Sequence, residues 1–214
     1  MLTLNLIEPY NFPLMTNASS LAQHYLIEAW KWSFSDRMAI ADPDFVNQTH
    51  VIEAMVSKDH AAQLRQKFSS TTTYPPAHYA DLVEPVEQSI LDSGTTHFSV
   101  VDSSRNIVGL TSTVNLYFGS KILSPSTGII LNDEMDDFST PNSTNAFGQP
   151  PSVANYIAPY KKPISSMTPT LVLANDKPIL TIGGSGGTRI ITAVIQVGFS
   201  FFILKRENQF TNFI

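Results

Sequence analysis

The sequence predicts an α+β protein, with helical segments first, two β-hairpins after them and a closing helix. Three observations carry this. Leu26, Trp30 and Phe34 recur every four residues within Asn17 to Met38, which predicts an amphipathic helix with Asn17, Ser19 and Ser20 as candidate N-caps. Two pairs of β-branched and aromatic runs each surround a short polar turn, and that is the pattern of hairpins. A glycine-rich loop then precedes an apolar run, which places a helix start near Thr188.

The remaining elements follow in order. Ala41-Asp42-Pro43-Asp44 breaks the first helix as a turn, and a second helical stretch is expected around His60 to Phe68. Ser69 to Pro85 is rich in Ser, Thr, Tyr and Pro and predicts an exposed linker. Thr95 to Asp102 and Asn106 to Thr113 form the first hairpin, around Asp102-Ser103-Ser104-Arg105-Asn106. Asp133 to Pro163 is a loop region. Thr168 to Ala174 and Pro178 to Ile182 form the second hairpin, around Asn175-Asp176-Lys177.

Composition narrows the function classes. The chain of 214 residues carries a net charge of −5 without a basic block, so phosphate neutralisation has no clustered Lys and Arg to draw on, and nucleic acid is not an expected partner. The absence of cysteine excludes disulfides and Cys-based zinc sites. Met1 to Tyr10 lacks the basic start of a signal peptide. Ile190 to Leu204 is interrupted by Gln196, Gly198 and Ser200 and reads as a buried helix rather than a membrane span. Three N-x-S/T triplets, at Asn17, Asn47 and Asn142, are compatible with a luminal or extracellular protein and equally with chance.

Several segments carry possible chemistry. Gly94-Thr95-Thr96-His97 is either a strand start or a masked nucleophile. Cutting the bond before Thr95 would give one residue both a hydroxyl and an α-amine, whose pKa of about 8 suits a general base. Gly94 leaves the carbonyl before the cut uncrowded. His97 lies two residues on, has no evident orienting acid and is taken as structural. Glu134-Met135-Asp136-Asp137-Phe138 is an acidic loop that could hold an ammonium or simply be solvated; its spacing is not that of a calcium loop. Gly183-Gly184-Ser185-Gly186-Gly187 matches neither a phosphate loop nor a dinucleotide fingerprint. It is either a close-packed turn or a set of N–H donors for an anion or oxyanion. Ser165-Ser166 could donate to a carboxylate.

Taken together and in order, these segments resemble the gamma-glutamyltransferase family. The resemblance rests on Thr95-Thr96-His97-Phe98-Ser99-Val100-Val101, Thr111 to Ser120, Asn132 to Phe138, Ser165 to Thr170 and Gly183 to Thr188. Upstream, Glu28-Ala29, Asp36-Arg37 and Ala41 to Val46 look like the last helical part of the family's large subunit. The likeness runs from about Pro13 to Val197. It implies an N-terminal-nucleophile hydrolase with an αββα sandwich, incomplete at both ends. Residues 1–94 would belong to the large-subunit-like region, 95–197 to the small-subunit-like core and 198–214 to a divergent tail.

The resemblance also implies the site. Self-cleavage between Gly94 and Thr95 would free Thr95 as nucleophile, with Thr113 bonded to it. Asn115, Glu134 and Asp137 would hold the substrate's α-amino and neighbouring groups, Ser165 and Ser166 its α-carboxylate, and Gly186 and Gly187 the oxyanion. The implied substrates are glutathione and other gamma-glutamyl amides, with amino acids or dipeptides as acceptors and no metal or organic cofactor. The two pieces would stay together as a heterodimer, on the extracellular face of the plasma membrane. The family's arginine that clamps the α-carboxylate lies in the part of the large subunit that this chain does not include. A chain shortened in this way is expected to show unpaired strand edges and apolar surface. The alternative is an inactive fragment, or a binding protein that retains the head-group pocket.

Overall fold

A computed structural model of the chain describes residues 1–10, 20–79, 93–143 and 151–206. The order is helices α1 (Leu2–Ile7), α2 (Ser20–Arg37), α3 (Thr49–Val56), α4 (Lys58–Arg65) and α5 (Pro76–Tyr79), then strands β1 (Ser93–Val101) and β2 (Ile107–Leu116), strands β3 (Thr170–Ala174) and β4 (Lys177–Ile182), and helix α6 (Arg189–Arg206). The α+β class is as the sequence predicts. The described strands form two antiparallel pairs, β1–β2 and β3–β4.

The helices form the main core. Leu2, Leu6 and Ile7 of α1 pack with Ala22, Leu26, Ala29 and Trp32 of α2 and with Ala61 and Leu64 of α4. The buried stripe of α2 passes through Ala29 and Trp32, whereas the four-residue spacing of Leu26, Trp30 and Phe34 puts the last two at its centre. Trp30 and Phe34 are only partly buried. A stripe on a 3.6-residue helix drifts away from a strict four-residue step, so Trp32 becomes the buried indole. Ile195 and Phe199 of α6 pack against the same core.

Two expectations need correction. The second helical stretch is α4, starting at Lys58 with the Ser57 side chain capping the His60 N–H at 3.2 Å, and α3 precedes it as an element that the sequence pattern does not reveal. The linker expected over Ser69 to Pro85 is not wholly exposed. Tyr79 is buried, and its hydroxyl donates to the buried Glu28 carboxylate, which also accepts from Thr73 and Lys31. A buried carboxylate needs several donors, and those donors tie the segment to α2. Residues 80–85 of that linker, Asn17 and Ser19 as N-caps with the first sequon, Thr144 of the third, and the tail from 207 onward lie outside the described residues.

Each hairpin is closed by the chemistry of its turn. Asp102 Oδ1 accepts from the Asn106 N–H at 2.7 Å, and Arg105 adopts a positive φ of 67°. In the second hairpin Asn175 and Asp176, at φ 50° and 59°, make a two-residue turn, so Lys177 already belongs to β4. The hairpins face each other: Ser99 Oγ lies 3.3 Å from Thr181 Oγ1, and His97 packs directly on Gly183, where a Cβ would overlap its ring. On the opposite face of β1–β2, Phe98, Val100, Val108 and Leu110 are exposed, which fits the expected apolar surface. Among the described residues no helix is long and apolar enough to cross a membrane.

Candidate functional site

The site grows from an irregularity at the end of the first hairpin. Thr95 pairs with Thr113, but Ser93 pairs with Leu116, so Val114 and Asn115 together oppose Gly94 alone. This is a β-bulge, and bulges re-aim side chains next to reactive sites. Asn115 supplies the left-handed residue that it needs, at φ 73° and buried, a conformation asparagine tolerates better than most residues. Gly94 supplies the space. A Cβ there would overlap the Leu116 carbonyl oxygen and approach Val114 Cγ2 to 2.9 Å.

The bulge sets two hydroxyls side by side. Thr95 Oγ1 and Thr113 Oγ1 are 2.9 Å apart. Thr113 Oγ1 also accepts the Asn115 N–H at 2.9 Å, which fixes its rotamer. His97, on the same strand face as Thr95, bonds instead to Thr111 Oγ1 at 2.8 Å and to Ser99 Oγ at 3.1 Å. It touches no carboxylate in these bonds and supports the Gly183 turn, in keeping with a structural reading.

Opposite the threonines lies the acidic segment. Glu134–Asp137 is one turn of 3-10 helix. Asp133, just before it, laces the turn to β2: its Oδ1 accepts the Leu116 N–H at 3.0 Å, and its carbonyl accepts from Asn115 Nδ2. Burial, with the nearby Glu134 and Asp136 carboxylates, raises the Asp137 carboxyl to about 7, although Arg37 pulls the other way. Burial and Asp133 raise Glu134 as well. Glu134 Oε1 is buried without a hydrogen-bond partner. Two crowded carboxyls with an unmet acceptor suit a cation with several N–H donors.

A third wall comes from the loop before β3. Thr95, Thr113, Asn115, Asp137, Ser165, Ser166 and Gly187 line one small cleft, joined by Met167 and Ile190. Seven positions singled out from the sequence therefore converge, although they span almost a hundred residues. Glu134 reaches the cleft through Asp137 rather than lining it, and Gly186 stands beside Gly187 at φ 129° and 57° respectively. The carbonyls of Gly186 and Gly187 accept the N–H groups of Arg189 and Ile190, so the glycine loop opens α6.

Two residues that hold the site are not among those the sequence singles out for it. Asn155, buried, donates to the Asp137 carbonyl at 2.8 Å and accepts the Ile164 N–H at 3.1 Å, joining the acidic turn to the serine loop. Arg37, at the end of α2, donates to the Ser165 carbonyl at 3.2 Å and to Ser166 Oγ at 3.0 Å. No local signal marks Asn155 within its loop. Arg37 has one, because it stands within the upstream pair Asp36-Arg37.

The sequence pattern of the Gamma-glutamyltranspeptidase family matches residues 1–210. The chain belongs to that family. Its relatives include Glutathione hydrolase 3 of Arabidopsis thaliana, 43% identical over 206 residues, covering 96% of this chain and 32% of the relative. A shorter relative from the same plant, "Putative inactive glutathione hydrolase 4", is 46% identical over 172 residues, covering 79% of this chain and 88% of its own. Among solved structures, a threonine-to-alanine mutant of Helicobacter pylori gamma-glutamyltranspeptidase superposes with a TM-score of 0.50 at 44% identity, covering 51% of this chain and 60% of that one. The chain spans about a third of the length of the long curated glutathione hydrolases it matches.

Proposed function

We propose that the chain carries the catalytic core of a glutathione hydrolase and gamma-glutamyl transferase. The observation that carries this reading is the Thr95–Thr113 hydroxyl pair at 2.9 Å, opening on a cleft shared with Asp137, Ser165, Ser166 and Gly187. A glutamyl head is a zwitterion. Asn115, Asp137 and Glu134 would take its ammonium, and the two serines its carboxylate, which leaves the γ-carbonyl at Thr95.

In this reading the Thr95 hydroxyl first attacks the Gly94 carbonyl carbon within the uncut chain. The peptide C–N bond breaks as an ester forms, which frees the Thr95 α-amine with the hydroxyl proton passing to it, and water then hydrolyses the ester to leave the Gly94 carboxylate and the Thr95 hydroxyl. The amine then takes the hydroxyl proton as Thr95 attacks the substrate's γ-carbonyl carbon, with the N–H groups of Gly186 and Gly187 receiving the oxyanion. The proton passes to the departing amine, and a γ-glutamyl ester remains. Water, or the amine of an amino acid or dipeptide, releases it. No step calls for a metal or organic cofactor. Residues 1–94 and the piece from Thr95 onward would remain a heterodimer, an αββα sandwich incomplete at both ends, acting at the extracellular face of the plasma membrane.

The deciding experiment pairs intact mass with a γ-glutamyl anilide assay on the purified chain. Two pieces with a boundary at Gly94/Thr95, together with anilide release, support the reading; a single uncut, inactive chain overturns it. Gly94→Ala should slow maturation at least about tenfold, since overpacking against the Leu116 carbonyl costs on the order of 1–3 kcal/mol. Cleavage at the parent rate, timed by the same mass measurement, would contradict that. The second reading is an inactive protein that keeps the head-group pocket, and the short relative whose name calls it inactive favours it. Glutathione binding without cleavage would support this alternative.

A further inference from the structure

Arg37 ends α2 and is buried, and that burial depresses the pKa of its guanidinium. A buried cation is costly unless it is bonded and electrostatically compensated. Its place at a helix C-terminus, where the backbone dipole is negative, offsets part of that cost. The remainder falls to the candidate site itself: Nη2 donates to the Ser165 carbonyl and to Ser166 Oγ, and the Asp137 carboxylate lies within its field.

These bonds determine what the serines offer a ligand. A serine hydroxyl has one proton and two lone pairs. Ser166 Oγ spends a lone pair on Arg37, and Ser165 Oγ spends one on the Met167 N–H at 3.1 Å. Each hydroxyl still has its proton to give. Two adjacent donors on one wall of the cleft suit the two oxygens of a carboxylate. The same helix end anchors the rest of the loop, because Ser152 Oγ donates to the Met38 carbonyl at 2.6 Å and Asp42 Oδ2 accepts the Lys162 N–H at 2.8 Å.

We propose that Arg37 is a positioning residue for α-amino-acid head groups: it presents Ser165 and Ser166 to the ligand carboxylate while keeping Asp137 available to the ligand ammonium. The proposal rests on the reading of the site as a γ-glutamyl pocket. It also gives the segment before Gly94 a direct part in selecting the substrate of the segment after it. Of the charged groups around Asp137, Glu134 and Asp136 oppose its ionisation and Arg37 favours it.

The test uses the 214-residue chain with Arg37→Gln, which removes the charge, and Arg37→Lys, which keeps the charge but lacks the planar fork. Two probes are titrated: glutathione, and 4-aminobutyramide, which has no α-carboxylate. At about pH 8.5, where Asp137 is mostly charged in parent and variant alike, Arg37→Gln should weaken glutathione by at least about tenfold, as expected for losing charge-supported donors, while 4-aminobutyramide changes about twofold or less. The Asp137 midpoint, followed by carboxyl-carbon NMR without ligand, should rise by about one pH unit in Arg37→Gln and stay in place in Arg37→Lys. Should Arg37→Gln not fold, Arg37→Lys decides, with glutathione about fivefold weaker at an unchanged midpoint. Parent-like glutathione affinity in a folded variant, or equal losses with both probes, overturns the proposal. If the parent chain binds neither probe, the γ-glutamyl reading itself falls, and the midpoint still reports whether Arg37 governs Asp137.

Discussion

Thr95→Ala is expected to leave the chain uncut and to lower γ-glutamyl anilide turnover by at least about 10⁴-fold, the scale on which losing a covalent nucleophile is felt. Alanine loses the hydroxyl and the γ-methyl but keeps Cβ on the strand, so the β1–β2 pairing and the cleft should survive. Thr95→Ser is the informative companion. It keeps a hydroxyl 2.9 Å from Thr113 but frees the rotamer that β-branching restricts, so cleavage should persist at roughly a tenth of the parent rate. Thr113→Val removes the other hydroxyl while preserving shape. Its loss should fall in the range of about 10²–10³-fold, as for a single missing hydrogen-bond partner at a reacting group. Intact mass reads maturation and anilide release reads turnover. An uncut Thr95→Ser chain, or cleavage in Thr95→Ala, would place the nucleophile elsewhere.

Much of this site is legible in the sequence because its parts are short and chemically distinct. The hairpin around Asp102 to Asn106 is readable from turn chemistry alone, and the pairing of Thr95 with Thr113 follows from that hairpin's register. What joins the parts is not legible. Asn155 bridges the acidic turn and the serine loop through one amide, and an asparagine in a polar loop looks like any other. Arg37 meets Ser166 across 129 positions, a distance over which helical periodicity carries no information. The same reason explains Tyr79. Its segment has the composition of a linker, yet the buried Glu28 needs donors, and the tyrosine hydroxyl is one of those that reach it. Trp32 shows a different limit: the four-residue spacing places α2 correctly and misjudges which indole the helical drift will bury.

Asp137 should make both stability and head-group binding depend on pH, in opposite directions. Its folded pKa of about 7 stands above the ordinary 3.8 because burial and the Glu134 and Asp136 carboxylates disfavour the charge. Below the unfolded value both states are protonated, and the contribution to stability is fully present. As pH rises toward 7, only the unfolded chain ionises, so stability falls, ultimately by about 2–4 kcal/mol once solvent screening is allowed for. Glu134, raised as well, acts in the same direction. Asp137→Asn should therefore flatten the loss of stability measured by urea melts between about pH 4 and 7. Ligand binding runs the other way. An ammonium needs the carboxylate charged, so glutathione affinity should rise about tenfold per pH unit up to about pH 7 and then level off. Binding at about pH 6 should release close to one proton, which calorimetry in buffers of different ionisation enthalpy will count. In Asp137→Asn the proton release should fall to what Glu134 alone gives up, and affinity at about pH 8 should drop about a hundredfold, the scale of an unpaired buried charge. Affinity that stays flat from about pH 5.5 to 8 in the parent chain would remove Asp137 from the ammonium site, because a carboxyl poised near neutrality cannot bind a cation without releasing its proton.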